Sequence, residues 1–459
     1  MKDRDRSSTD SQSGQSRRSF LRACGGVPLA LATAAGPASK AAADTGREEI
    51  RRPEGSIRKI SESAEEIYEC KDSLGRFSGA DMAFKKIPEE LGAAFSRAFK
   101  ENAISNVANS RIGHGVDVAS PAEARAHLAL DVAADTWNKI IGPYGENRDN
   151  EGLRSWLPLK VPEGMYTSPD PDPDPVDLAH KMKVIATYVG ADRVGITHLN
   201  RKWVYSEKCL NSDSPEPPVT KKIVFRDVDQ PAETESELII PESVTNAIVF
   251  VTVQPRMSTE IGPATFQTMA STSAGYSWSG LTAVALAEAV RFMGYVAIPC
   301  MNETAMSVPL AIDAGLGQLG RLGYLITPWF GPHVRIAKVL TNMPLVHDSP
   351  IDFGVTEYCM ECGICAVECP SGAISPDKER SYAPLKAAEP CGNPGARKWY
   401  INGKRCLKWW VESGAGCSRC TSVCPYTNLT LGSYLGDDPS PDGFWDAEFG
   451  QYGHREVIY

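Results

Sequence analysis

The chain has 459 residues, of which 42% are hydrophobic, and a formal net charge of −9. A chain of this length can bury two or three domain-sized cores, and its acidity disfavours nucleic acid as a partner. No segment beyond residue 43 approaches the roughly 18 consecutive apolar residues of a membrane-spanning helix, so membrane attachment would require a partner protein.

The first 43 residues have the pattern of an export signal. The run Ser16-Arg-Arg-Ser-Phe-Leu-Arg22 precedes a weakly apolar stretch and three alanines before Asp44. An arginine pair, a short apolar run and a small-residue cleavage site are together typical of the twin-arginine route, against the alternative of a tail with a chance arginine pair. The pattern predicts a signal peptide over 1–43 and a mature chain of net charge −13, from 41 basic and 54 acidic residues.

The next segments predict an N-terminal region and a connector. Residues 44–165 are charged and contain a helical pattern from Pro121 to Trp137, and we expect them to pack on the core. In the run 168–175, proline alternates with aspartate, which prevents regular backbone hydrogen bonding and predicts an extended surface connector. Residues 206–240 are polar and contain prolines, and they predict an insertion or hairpin on the surface.

Helix and strand patterns alternate through the middle of the chain. Apolar spacing predicts two helices that each end at a glycine and lead into a strand. Two further apolar runs predict buried or alternating strands. The helices are 176–189 and 281–293, and the strands are 193–197, 247–253, 295–299 and 334–340. This order predicts an α/β (α+β) layered core over 166–345.

A glycine-rich segment spans Ala314–Gly323. Its glycines allow a backbone to approach a flat or phosphorylated cofactor closely. Gly315, Gly317 and Gly320 also form a G-x-G-x-x-G pattern. A dinucleotide site is disfavoured because no strand immediately precedes the pattern and no ribose-binding acid is evident.

Two cysteine runs near the C-terminus predict two [4Fe-4S] clusters. In the first, three cysteines at C-x2-C-x2-C spacing are followed by a fourth before proline, and in bacterial ferredoxins that fourth cysteine binds the other cluster. The alternative, a pair of zinc ribbons, does not use the third and fourth cysteines or the proline. The spacing assigns Cys359, Cys362, Cys365 and Cys424 to the first cluster, and Cys369, Cys406, Cys417 and Cys420 to the second. The other five cysteines form no disulfide framework.

The predicted signal peptide, the two cysteine runs and the stretch Ala314–Leu345 together resemble the corrinoid-dependent reductive dehalogenases. The resemblance covers about 170–430. It implies a nitroreductase-like corrinoid-binding core, a ferredoxin-like domain with two [4Fe-4S] clusters over 346–430, and a C-terminal tail over 431–459. It also implies a corrinoid of the cobalamin or norpseudo-B12 type, bound base-off without a histidine ligand from the protein. The cofactor contacts expected from it are Gly315, Gly317, Gly320, Gly323 and Thr272.

The same resemblance implies a tyrosine proton donor supported by a cation and an amide. The matching positions are Tyr276, Asn302 and Arg335. Without the resemblance, these residues would be interpreted as a core tyrosine, a turn asparagine and a solvated arginine on a strand. A guanidinium beside a tyrosine stabilises the phenolate. We expect Tyr276 to lie in a loop before the helix from Leu281. The candidates for lining an apolar substrate cavity are Trp137, Trp156, Trp203, Trp278 and Trp329, although core packing is the expected role of most of them. Trp278 is preferred for the cavity because it is close to Tyr276 in the sequence.

The implied substrate is a small halogenated organic molecule. The implied partners are a membrane-anchor subunit and a quinone-linked electron donor, with a homodimer as the candidate assembly. The export signal predicts a peripheral protein on the outer face of the cytoplasmic membrane. Two other classes stay open: an epoxyqueuosine reductase-like enzyme, which the acidic charge and the export signal disfavour, and a non-catalytic iron-sulfur electron carrier, which leaves the large core unexplained.

Overall fold

The computed structural model describes residues 57–92, 94–141, 156, 168–169, 171–210, 216–256, 264–382 and 390–427. All of them fall in one compact unit. The signal peptide and C-terminal tail predicted from the sequence lie outside the described residues.

Eleven α-helices and twelve strands occur in these ranges. In chain order, the helices are α1 Ala64–Ile67, α2 Ala83–Leu91, α3 Ala94–Ala108, α4 Pro121–Ile141, α5 Pro175–Tyr188, α6 Phe266–Phe292, α7 Ser307–Asp313, α8 Val355–Cys362, α9 Ile364–Val367, α10 Gly403–Ser413 and α11 Arg419–Ser422. The strands are β1 Arg58–Lys59, β2 Arg193–His198, β3 Glu207–Cys209, β4 Thr220–Arg226, β5 Ala232–Glu233, β6 Glu237–Pro241, β7 Asn246–Val253, β8 Ala297–Cys300, β9 Gln318–Leu319, β10 Leu325–Ile326, β11 Val334–Thr341 and β12 Ile351–Asp352. In the described part of the chain, no helix combines the length and hydropathy needed to cross a bilayer.

The central sheet has the order β2-β7-β11-β8, and all its pairs are antiparallel. Every residue of β7 is buried, as its continuous apolar run predicts for a strand covered on both faces. The helix predicted over 176–189 is confirmed as α5, which Asp174 caps through its side chain. Helix α4 confirms the pattern from Pro121 and packs along α6.

The segment 206–240, for which the sequence predicts a surface insertion or hairpin, has a more elaborate architecture than a hairpin. These residues form most of a second sheet of order β3-β4-β6-β5, in which β4 and β6 are parallel. Ile223, Leu238 and Ile240 are buried and pack with the core of the central sheet. The apolar residues of β4 and β6 indicate buried strands. The polar residues on either side of them make this pattern hard to recognise in the sequence.

The helix predicted from Leu281 begins fifteen residues earlier, at Phe266. Tyr276 therefore lies inside a helix and not in a loop. The many serines and glycines of this segment suggest a loop, but their small side chains allow close packing. A Cβ at Gly275 would lie 2.8 Å from Arg335 Cγ. Ser277 donates a hydrogen bond to Ala134 O of α4, so tertiary contacts outweigh the low helix propensity.

Candidate active site and cysteine groups

A large cavity opens where α6, β8 and β11 meet the loop after β9. Its volume is about 720 Å³, within the range of small-molecule sites. Apolar and aromatic side chains make up most of its lining, including Trp203, Met301, Val308, Leu325, Ile336 and Trp399. The charged residues of the lining are Glu303, Arg335 and Lys398. A mainly apolar wall with some polar groups is usual for a site that holds a ligand in a fixed orientation.

Tyr276, Asn302 and Arg335 meet in this cavity, although they come from three distant segments. Asn302 Nδ2 donates a hydrogen bond of 2.7 Å to Tyr276 Oη. The guanidinium carbon of Arg335 lies 4.7 Å from the centroid of the Tyr276 ring. Arg335 Nη2 donates to Thr272 Oγ1 at 3.2 Å, one helical turn before Tyr276. The hydroxyl of Tyr276 thus has an amide donor and a nearby cation.

The fold brings these residues together by strand order and by a glycine. Arg335 is paired with Thr252 in the central sheet, so it lies on a strand between two others. Asn302 is the second residue after β8 and follows the strand predicted over 295–299. Because Gly275 has no side chain, α6 approaches the sheet closely enough for Arg335 to lie over Tyr276.

Trp278, the tryptophan expected first in the cavity, is not among the lining residues and is 40% exposed. Two residues along an α-helix correspond to about 200°, so Trp278 and Tyr276 project to opposite sides of α6. Of the tryptophans expected in the cavity, Trp203 lines it; Trp137 is exposed and Trp156 is buried elsewhere in the core. Trp399, which the sequence reasoning missed, lines it as well.

A buried lysine supports the asparagine. Lys338 is fully buried on β11, where the sequence predicts only an alternating strand. Its ammonium donates to Met301 O and, at 2.8 Å, to Ser307 Oγ. Ser307 Oγ lies 3.4 Å from Asn302 Oδ1. Burial lowers the pKa of Lys338 to about 8. The Ser307 hydroxyl also lies 3.2 Å from Met301 O. Through Ser307, Lys338 favours the orientation in which the Asn302 amide nitrogen faces Tyr276.

The glycines of the segment 314–323 are mostly explained by packing within the protein. A Cβ at Gly315 would lie 2.5 Å from Ser349 O, and one at Gly317 would lie 2.3 Å from Ile326 O. At Gly320 it would meet the Ile326 side chain at 2.5 Å. Of the four glycines expected at the cofactor, Gly323 lines the cavity. Thr272 does not line the cavity, and it contacts the site by accepting a hydrogen bond from Arg335.

The first cysteine group encloses a small cavity. Its walls contain Cys359, Cys362, Cys365 and Cys424, so the cysteine before Pro425 of the second run joins three from the first run. Burial raises the pKa of Cys359 to about 11 and that of Cys365 to about 12. Thiols in such a place lose their protons when a metal binds them, which suits an iron-sulfur cluster.

The second group consists of Cys369, Cys406, Cys417 and Cys420. Burial raises the pKa of Cys406 to about 12, and the charges of Cys417 and Cys369 act in the same direction. Burial also raises the pKa of Cys420, and the charge of Cys406 acts in the same direction. Among the described residues, no three His, Cys, Asp or Glu are arranged around a single ion. A cubane spreads its thiolates around four irons, so this finding does not bear on it.

One tyrosine connects the second group to the large cavity. Tyr324 lines the cavity, and the Arg335 guanidinium lies 5.9 Å from its ring centroid. Burial raises the pKa of Tyr324, and the charges of Cys420 and Cys406 also act on it. Tyr324 is thus a residue of the cavity wall on which both Arg335 and cysteines of the second group act electrostatically.

An aspartate behind the cavity predicts a pH effect on stability. Asp313 accepts hydrogen bonds from Ala64 N at 2.6 Å and from Trp203 Nε1 at 3.3 Å. Burial raises its pKa from 3.8 to about 6. The folded protein therefore binds this proton more tightly than the unfolded chain, and the stabilisation is complete below about pH 4 and lost as the pH rises through 6.

The shift at Asp313 corresponds to about 3 kcal/mol in total, of which about 1 kcal/mol falls between pH 5 and 7. We expect the free energy of unfolding of the wild type, relative to Asp313→Asn, to decline by about that amount over this interval. Urea unfolding at pH 5, 6 and 7 measures the difference. Parallel pH dependences of the two proteins would show that Asp313 does not titrate there.

Comparisons with known proteins identify a cluster-binding region and several relatives of this chain. A family described as a 4Fe-4S dicluster domain matches residues 358–428. Tetrachloroethene reductive dehalogenase of Sulfurospirillum multivorans is 39% identical over 351 residues, which cover 74% of this chain and 68% of that protein. The protein of the same name from Desulfitobacterium hafniense is 34% identical over 265 residues, 54% of this chain and 48% of the relative.

A solved structure has a similar fold. It is described as a reductive dehalogenase structure that suggests a mechanism for B12-dependent dehalogenation, and it superposes with a TM-score of 0.54 at 20% identity. The match covers 89% of this chain and 50% of that chain, so the chain spans about half the length of this relative. From the identity and coverage of the first relative, the chain belongs to the reductive dehalogenases, oxidoreductases that act on carbon–halogen bonds.

Proposed function

We propose that this protein removes halide from a small organohalide at a corrinoid, using electrons delivered through two [4Fe-4S] clusters. The observation that carries the proposal is the convergence of Tyr276, Asn302 and Arg335 in one cavity beside the cysteine groups. Overall, the organohalide takes up two electrons and one proton and releases a halide ion. Chlorinated alkenes are the first substrates to test, because two relatives are named for tetrachloroethene.

The cavity fits a corrinoid in its chemistry. Its aromatic and aliphatic walls suit the faces of a macrocycle, and Arg335 Nε, buried with no hydrogen-bond partner among the described residues, offers a donor. When bound, a corrinoid supplies the low-potential cobalt centre that breaks the carbon–halogen bond. We propose that it is of the cobalamin or norpseudo-B12 type, base-off and without a protein histidine, in a nitroreductase-like core.

Tyr276 is the proposed proton donor. Because Asn302 donates to Tyr276 Oη, the proton of the hydroxyl is free to point into the cavity. When it is transferred, the phenolate keeps the Asn302 hydrogen bond and gains attraction to Arg335. When a corrinoid and substrate displace water from the cavity, both interactions would become stronger. Substrate binding rests on shape and dispersion, since organohalides offer few polar handles.

Delivery of electrons completes the proposal. We propose that the ferredoxin-like cysteine groups hold the two clusters and that the second cluster passes electrons towards the cavity near Tyr324. A twin-arginine signal, peripheral attachment through a membrane-anchor subunit and a quinone-linked donor on the outer face of the membrane would place the reaction in organohalide respiration. A homodimer is the proposed assembly.

Metal analysis separates this function from the two alternatives. The full chain is reconstituted anaerobically with iron, sulfide and cobalamin and desalted before measurement. The proposal predicts cobalt and iron in the same fraction, with no binding of transfer RNA. Iron without cobalt would indicate an electron carrier, and binding of transfer RNA would indicate an epoxyqueuosine reductase-like enzyme.

Lys338 gives a more local prediction. Replacing it with Met removes the donor that holds Ser307 and Met301 O and leaves buried acceptors unsatisfied. We expect turnover to fall about tenfold or more and stability to fall by about 1–3 kcal/mol. In an Asn302→Ala background the same substitution should leave turnover nearly unchanged, because Lys338 acts by positioning Asn302. Additive losses of turnover in the double variant would contradict this role.

A further inference from the structure

Arg321 is the largest fully buried side chain among the described residues, with 1% exposure. Its guanidinium donates to Cys359 O at 2.8 and 3.0 Å, to Ser375 O at 3.0 Å and to Asp377 O. The guanidinium carbon lies 4.6 Å from the centroid of the Trp399 ring. In the described ranges no ion pair includes Arg321, so carbonyl dipoles and an aromatic face solvate a charge that no carboxylate neutralises.

This cation lies in the wall of the first cysteine cavity, beside Cys359, Cys362, Cys365 and Cys424. Arg321 comes from the glycine-rich segment, at the tip of the β9–β10 hairpin, where Gly320 N donates to Tyr324 O. Leu322, the next residue, also lines the first cysteine cavity, whereas Gly323 and Tyr324 line the large cavity. The hairpin tip therefore separates the two cavities and presents its cation to one of them.

We propose that Arg321 raises the reduction potential of the cluster held by the first cysteine group. The inference rests on the proposed function only in assuming that the cysteines bind clusters. Reduction adds one electron from a low-potential donor to the cluster, and a fixed cation in a region of low polarity stabilises the added negative charge. Hydrogen bonds to neutral carbonyls hold the guanidinium in place without cancelling its charge.

The second cysteine group provides the contrast. Its nearby Arg419 is about one-third exposed and paired with Glu368 at 2.6 Å. A solvated, paired cation has a much smaller effect on a nearby charge than a buried, unpaired one. The first cluster should therefore depend on its arginine more strongly than the second cluster does.

The test is a redox titration of the full-length protein, reconstituted with iron and sulfide and reduced stepwise with dithionite and mediators. Electron paramagnetic resonance reports each cluster. Arg321→Gln and Arg321→Met should make reduction of one cluster at least tenfold less favourable, which is about 59 mV for one electron. The other cluster is an internal reference. Arg321→Lys keeps the charge and should shift the potential less than either neutral variant, and Arg419→Gln should leave the first cluster unchanged.

Unchanged potentials in both neutral variants would overturn the proposal. So would loss of iron from the first group in both of them with the second cluster intact, because Arg321 would then be a structural anchor. The titration needs neither corrinoid nor organohalide. A wild type that holds both clusters but binds no cobalt would therefore refute the proposed function while leaving the test of Arg321 valid.

Discussion

Tyr276→Phe is expected to lower halide release by a factor of about 10² to 10⁴, the usual contribution of a positioned proton donor. The substitution removes the hydroxyl that accepts the hydrogen bond from Asn302, and it keeps the ring that Arg335 lies over. The ring remains to pack within α6, so the fold and the contents of iron and cobalt should not change. Halide release under saturating reduced viologen measures the effect.

Tyr188→Phe is the matched control for this experiment. Tyr188 ends α5 and is 89% exposed, so loss of its hydroxyl should leave turnover unchanged. The pair separates loss of a proton donor from a general effect of removing a phenol. Full turnover in Tyr276→Phe would show that Tyr276 is not the proton donor. Solvent or another group would then supply the proton.

The second large effect concerns the cysteine that each run is expected to contribute to the cluster of the other run. Cys369→Ser is expected to remove the cluster that Cys406→Ser removes, although Cys369 belongs to the first run. Cys424→Ser should in turn reproduce Cys359→Ser. Each substitution should lower the iron content by about half and abolish viologen-driven turnover, because thiolates are the ligands that iron-sulfur clusters require.

Iron analysis and electron paramagnetic resonance of the four variants test this exchange. Cys209→Ser is the control, since Cys209 is buried in β3 and belongs to neither group. If Cys369→Ser removed the same cluster as Cys359→Ser, each run would hold its own cluster. That result would contradict the sharing of one cavity by Cys424 and the first three cysteines of the first run.

Short-range patterns predicted several parts of the fold and site correctly. The continuous apolar run of β7 indicates a strand buried on both faces, and the apolar spacing over 176–189 indicates the helix α5. The position of Asn302 after β8 follows from the end of an apolar run. In each case the signal lies within about ten residues of the feature that it predicts.

Features that depend on distant contacts could not be predicted in this way. The serines and glycines before Leu281 favour a loop, and only packing against α4 and the sheet makes them helical. Lys338 and Arg321 carry charges that usually face solvent, yet both are buried because carbonyl oxygens from other segments receive their hydrogen bonds. Trp399 reaches the cavity from the cysteine-rich region, 123 positions after Tyr276 in the chain.

Halide release coupled to electron consumption tests the central claim most directly. The full chain, containing both iron and cobalt, is mixed anaerobically with reduced methyl viologen and a chlorinated alkene, and chloride and oxidised viologen are measured together. Two viologens should be oxidised for each chloride released, and no chloride should be released when the corrinoid is omitted. Oxidation of viologen without release of halide from any of a panel of chlorinated alkenes, alkanes and arenes would contradict it.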